Sequence, residues 1–118
     1  MAEGPRPAVA EYLTRANFGL ALGNFELDMD RGVVGYKTTH LIERSVPLSE
    51  STIAHTVIAN LAMMDRYLPA MLAVVSGQAT PQQAVEQAEA RREEGEESSV
   101  GGSSSPRRPR FDPTPGEN

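Results

Sequence analysis

The stretch STIAHTVIANLAMMDRYLPAMLAVVSG, Ser51 to Gly77, limits what this chain can fold into, because it is the only long apolar segment present. At about 100° of rotation per residue, Ile53, Val57, Leu61, Met64, Leu68, Leu72 and Val75 fall in one stripe at spacings of three and four. That is the pattern of a helix facing a core, so this stripe is the expected core face. Met63, Tyr67, Ala70 and Val74 make a second, adjacent stripe, and together the two cover roughly 200° of the circumference. One sheet does not cover so wide an arc. The second stripe therefore requires another layer of the same chain or a partner. The remaining arc, with His55, Ala59, Ala62, Asp65, Arg66 and Ala73, is small and mixed rather than densely charged. Ser49 or Ser51 is placed to cap the N-terminus and Gly77 to end the helix in the left-handed conformation. Pro69 removes the hydrogen bond to the Asp65 carbonyl and is expected to bend or split the helix.

The rest of the 118 residues bounds the size of the fold. The last two dozen residues are unsuited to a core, which leaves one domain small enough to be marginal without a partner. There is no cysteine, so neither a disulfide framework nor a thiolate metal site is available. Met1 to Pro7 has no apolar region of the signal-peptide kind. The longest apolar run, Ala70 to Val75, is far too short to cross a bilayer. A soluble, cytoplasmic protein is expected, and the net charge of −5 opposes attraction to nucleic acid or an anionic membrane.

Pro7 to Phe18 reads as a short amphipathic helix that ends near Gly19. In NFELDMD, Phe25, Leu27 and Met29 alternate with Asn24, Glu26, Asp28 and Asp30, which describes a strand with one wet face. Asp30-Arg31-Gly32 is a turn signal, and VVGYKTTHLI pairs with the first strand as an antiparallel hairpin. Val34, Tyr36, Thr38, His40 and Ile42 share one face of that second strand; the pattern leaves open which face is buried. Pro47 breaks the chain before the long helix. Thr80-Pro81-Gln82-Gln83 has the form of a capping box, and a helix follows to about Glu94. Its apolar stripe is only Ala84, Val85 and Ala88, so a solvated helix is expected. From Gly95 the composition is that of a disordered tail. The organisation read from this is a domain over residues 1–78, a solvated helix over 79–94 and a tail over 95–118, in the α+β class.

Two strands are an incomplete sheet. An isolated hairpin is marginal and leaves backbone edges unpaired, so missing strands from another copy or another chain are expected. NFELDMDRGVVGYKT together with ANLAMMDRYLPAMLAVVSG closely resembles the C-terminal half of the YbjN-domain family, described as bacterial sensory transduction regulators with a type III secretion chaperone-like fold. The resemblance rests on Asn24 to Asp30, on Tyr36-Lys37-Thr38, and above all on Met63-Met64-Asp65-Arg66-Tyr67-Leu68-Pro69. Pro7 to Asn17 resembles the family's middle helix, and the coverage is roughly residues 6–78. A family domain begins with a further helix and a three-stranded meander, and neither precedes this segment. The resemblance thus implies a partial chaperone-like domain, from a truncated frame or from a half that assembles with a second chain.

Candidate sites are few. Asp65 and Arg66 point about 100° apart on a helix and do not pair with each other. They serve either as ordinary charges at the edge of the packed arc or as a polar anchor at a partner surface, where Arg and Tyr are enriched. Met63, Met64 and Met71 are either core filler or an adaptable binding surface, with Met63 the most exposed by position. His40 and His55 have no second ligand at metal spacing, and Glu26, Asp28 and Asp30 lack the loop and glycine of a calcium site. No nucleophile elbow or phosphate-binding glycine loop exists. Arg107, Arg108, Arg110 and Phe111 make a basic patch too small, and too offset by acids, to imply nucleic-acid binding. No catalytic, cofactor or metal residue is assigned. The expected function is non-enzymatic protein binding or homo-oligomerisation without nucleic acid or membrane. Met63, Asp65, Arg66, Tyr67 and Val74 are the expected partner-binding residues, with strand addition at the open sheet edge. The alternative is a structural half-domain that folds only with its missing N-terminal half.

Overall fold

The computed structural model describes residues 1–99, with side chains to Gly95. The fold is α+β: α1 (Arg6–Phe18), β1 (Asn24–Asp28), β2 (Val33–Lys37), α2 (Glu50–Val75) and α3 (Pro81–Ser99). Three helices pack on one another, and a two-stranded antiparallel hairpin closes one side of them.

Local chemistry sets most boundaries. Ser49 accepts a hydrogen bond from Thr52 N at 3.2 Å and caps α2. At the other end Gly77, with φ 74°, lets its own N–H reach Val74 O while Gln78 N reaches Ala73 O. That double return satisfies the last carbonyls of the helix. The capping box of α3 is reciprocal: Gln83 N donates to Thr80 Oγ1 at 3.2 Å and Thr80 N to Gln83 Oε1 at 3.0 Å. Pro69 lies inside α2 without splitting it. Removal of one bond is tolerated where the flanking turns are held by packing.

The hairpin pairs Phe25 with Tyr36 and Leu27 with Val34, and these four residues form its inward face. Phe25 is buried, with its ring 4.9 Å from that of Tyr36 and 5.3 Å from that of Tyr67. β2 ends at Lys37, earlier than the alternation to Ile42 suggests. Residues 38–40 leave the sheet because α2 offers them side-chain partners. Thr38 Oγ1 donates to Asn60 Oδ1 at 2.6 Å, and His40 Nε2 lies 2.8 Å from Thr56 Oγ1.

The core corrects the expected orientation of the long helix. Its buried residues are Tyr67, Ala70, Met71 and Val74. These belong mainly to the second stripe, and α1 and α3 cover them with Val9, Tyr12, Leu13, Ala16, Ala84, Val85 and Ala88. Most of the expected core stripe is outside: Ile53, Val57, Leu61, Leu68 and Leu72 are exposed, while Met64 and Val75 are half-buried against the edge of the core. Alanines at 16, 70, 84 and 88 let three helix backbones come close on the Tyr67 side. The bulkier branched stripe offers no such approach. α3 is accordingly wet only on its outer face, since its short Ala84, Val85, Ala88 stripe is part of the core. Helix also continues past Gly95 to Ser99, where a disordered tail was expected to begin. The remainder of that expected tail, residues 100–118, lies outside the described residues, as does the basic patch at Arg107 to Phe111.

Candidate interaction surface

The N-terminal half of α2 stands clear of the core. Among residues 50–62 none is buried, and contact with the rest of the fold runs through Thr38, His40, Thr56 and Asn60 on one flank. On the other flank Ile53, Val57, Ile58 and Leu61 are 48–64% exposed, and Leu68 and Leu72 continue the face at 38% and 56%. A wheel at 100° per residue places these six within a single arc of about 140°. Asp65 and, at the first position of the helix, Glu50 are the charged residues inside that arc. Asp65 is exposed and joins no ion pair among the described residues. Before the helix the loop adds Leu41, Ile42, Val46 and Leu48, which line a cleft of about 470 Å³ together with Pro47, Ser49 and Thr52. The six helical residues present on the order of 500 Å² of apolar surface, as much as the largest patch on an ordinary monomer, and the loop roughly doubles it.

The two edges of the hairpin differ. Asn17 of α1 reaches the outer side of β1, accepting from Phe25 N at 2.7 Å and donating through Nδ2 to Phe25 O at 3.0 Å. Its amide stands in for a neighbouring strand, and that edge is closed. The register that points the backbone N–H and C=O of Phe25 to the outer edge also turns the N–H groups of Val34 and Tyr36 away from β1. Neither has a hydrogen-bond partner among the described residues, so β2 is the open edge.

The residues expected to bind a partner are dispersed. Tyr67 is fully buried and Val74 is 4% exposed, both inside this chain's own core. Their role there corrects the expectation that a partner buries them. Met63 is half-buried against that core. Arg66 is half-buried and lies against α3, where a Cβ on Gly95 would come within 3.1 Å of its Nη2. Asp65 alone remains on the open face. The surface that sequence reasoning missed as exposed was legible as apolar but was assigned to the interior.

The polar chemistry elsewhere is structural. Tyr12 Oη donates to Tyr67 O at 2.9 Å, and burial holds its phenol above the ordinary range, with Tyr67 beside it acting in the same direction. Burial likewise raises Tyr67, whose Oη is buried without a hydrogen-bond partner among the described residues, as is Arg92 Nε. Glu26 pairs with Lys37 at 2.9 Å, and Asp28 Oδ1 accepts from Asp30 N and Arg31 N in the hairpin turn. No cluster of three or more His, Cys, Asp or Glu placed to hold a metal occurs among the described residues. A cleft of about 480 Å³ between α1 and α3 is lined by Thr14, Arg15, Phe18, Gln82, Val85 and Glu86. Arg15 there is already paired with Glu11 at 2.9 Å.

By length and composition alone α2 also meets the requirement for a membrane span, with a mean hydropathy of 1.3 over 18 residues of which 22% are buried. The uninterrupted run Ala70 to Val75 had understated it, because Asp65, Arg66 and the scattered small polar residues break the run without lowering the average much. Among protein-family models, curated proteins and solved structures, no match to this chain is found.

Proposed function

We propose that this chain is a non-enzymatic protein-binding module that acts through the exposed aliphatic face of α2, assisted by the open edge of β2. The observation that carries this reading is the exposure of Ile53, Val57, Leu61, Leu68 and Leu72 along a helix whose opposite side is packed. Hydrophobic association needs an apolar patch of this size, and a lone helix face in water gains most by being covered. An added strand on β2 would satisfy Val34 and Tyr36, the strand-addition mode in which backbone bonds give affinity and the neighbouring helix gives selectivity. The resemblance to the C-terminal half of the YbjN, secretion-chaperone-like kind points the same way, since the strands that such a domain would supply first are the ones this hairpin lacks.

A photoreactive benzophenone side chain at Leu61 tests the reading directly. Irradiation of the full chain in its host cell should give covalent protein adducts from position 61 and none from the same group at Gln87, which faces solvent on α3. Equal yields from both positions, or none from either, would refute a binding role for the α2 face.

A further inference from the structure

We propose that the occupant of the α2 face is the same face of a second copy of this chain, with the two helices antiparallel about a two-fold axis between Ala62 and Met63. The inference rests on the reading of that face as a binding surface and names its partner.

Self-complementarity is written in the spacing. Ile53, Val57, Leu61, Met64, Leu68 and Leu72 are separated by four, four, three, four and four residues, a sequence of steps that reads the same in both directions. Reversing a second helix on the first therefore sets Ile53 against Leu72 of the partner subunit, Val57 against Leu68 of the partner subunit, and Leu61 against Met64 of the partner subunit. A two-fold interface requires this property, because one patch must match itself. The step from Ile53 to Met64 is eleven residues, a repeat close to the natural pitch of a straight helix, so the stripe stays on one side over the whole contact. Asp65 lies about 20° beyond Leu72 on the wheel, at the margin of this narrower stripe, where its exposed carboxylate keeps its water at the rim.

The area is sufficient. The exposed aliphatic face, with Ile58 beside the stripe and Met64 half-buried at its centre, offers roughly 500 Å² from each copy, or about 1,000 Å² in total, the threshold for a specific interface, and the apolar loop at the Ile53 end raises it. Other occupants fit less well. Residues 100–118 contain only Val100 and Phe111 as large apolar side chains, too few to cover six. An anionic bilayer is opposed by the net charge of −5.

The chain has no cysteine, so Ile53→Cys and Leu72→Cys can each be introduced alone. Mild oxidation of an equimolar mixture should link the two variants to each other several-fold faster than either links to itself. Light scattering on the unaltered full chain at tens of micromolar should give twice the single-chain mass. Leu61→Glu should halve that mass with unchanged circular dichroism, because Leu61 is outside the core. A single-chain mass for the unaltered protein, or faster self-linking by Ile53→Cys than mixed linking, overturns the proposal. If the chain is single but the benzophenone at Leu61 captures a different protein, self-pairing fails while the binding face stands. If it is single and floats with phosphatidylcholine vesicles in a Leu61-dependent way, the face is a lipid surface and both readings fall.

Discussion

Met71 and Leu72 are neighbours on one helix, yet the fold assigns them opposite fates: Met71 is 5% exposed and Leu72 is 56% exposed. Replacing each in turn by alanine isolates that assignment. Met71→Ala removes a long side chain from among Tyr67, Val74 and the residues of α1 and α3, leaving a cavity that surrounding helices fill only in part. Such truncations cost about 2–5 kcal/mol, and the lower half of that range fits a flexible thioether at the end of a small core. In a domain of this size about 2 kcal/mol lowers Tm by roughly 10 °C. Leu72→Ala, measured at a concentration low enough for single chains, removes apolar area already in water and substitutes a better helix former, so its effect stays within about 0.5 kcal/mol. Urea unfolding followed by circular dichroism at both concentrations reads the difference. Raising the concentration should reveal a further loss for Leu72→Ala alone, because bound copies stabilise the folded state by mass action. Equal losses for the two variants at low concentration would mean that the branched stripe is the interior after all, and the helix orientation described here would be wrong.

Two further perturbations probe other parts of the fold. Asn17→Ala strips the partner from Phe25 N and the shorter of two donors from Phe25 O and should cost about 1–3 kcal/mol, with faster hydrogen exchange at the Phe25 amide; unchanged exchange would show that the side chain does not close the β1 edge. Tyr12 and Tyr67 keep their protons above the ordinary phenol value of 10.0, so the folded chain holds more protons than the unfolded one in alkali. Stability should then be level below pH 10 and fall as the pH rises beyond it. Phenolate absorbance should rise together with loss of helix, whereas early ionisation of all three tyrosines with helix intact would refute burial.

Much of this architecture was legible without coordinates. The alternation in NFELDMD and the Asp30-Arg31-Gly32 turn specify a hairpin. Ser49, Gly77 and the Thr80 to Gln83 box specify helix ends through hydrogen bonds made within a few residues. These are local interactions, and local sequence carries their geometry. β2 was read five residues too long because the competing partners, Asn60 and Thr56, lie far along the chain. The closure of the β1 edge by Asn17 was invisible for the same reason.

The sequence by itself determined that α2 would be helical and apolar over more than half its circumference, and that one element could not cover it. Only the tertiary structure decided which part of that arc is interior. Hydrophobic burial is non-directional and rewards either stripe, so the choice falls to shape. Small residues on three helices admit close packing around Tyr67, Ala70 and Val74, and Ile53, Val57, Leu61, Leu68 and Leu72 of the other stripe are left facing outward.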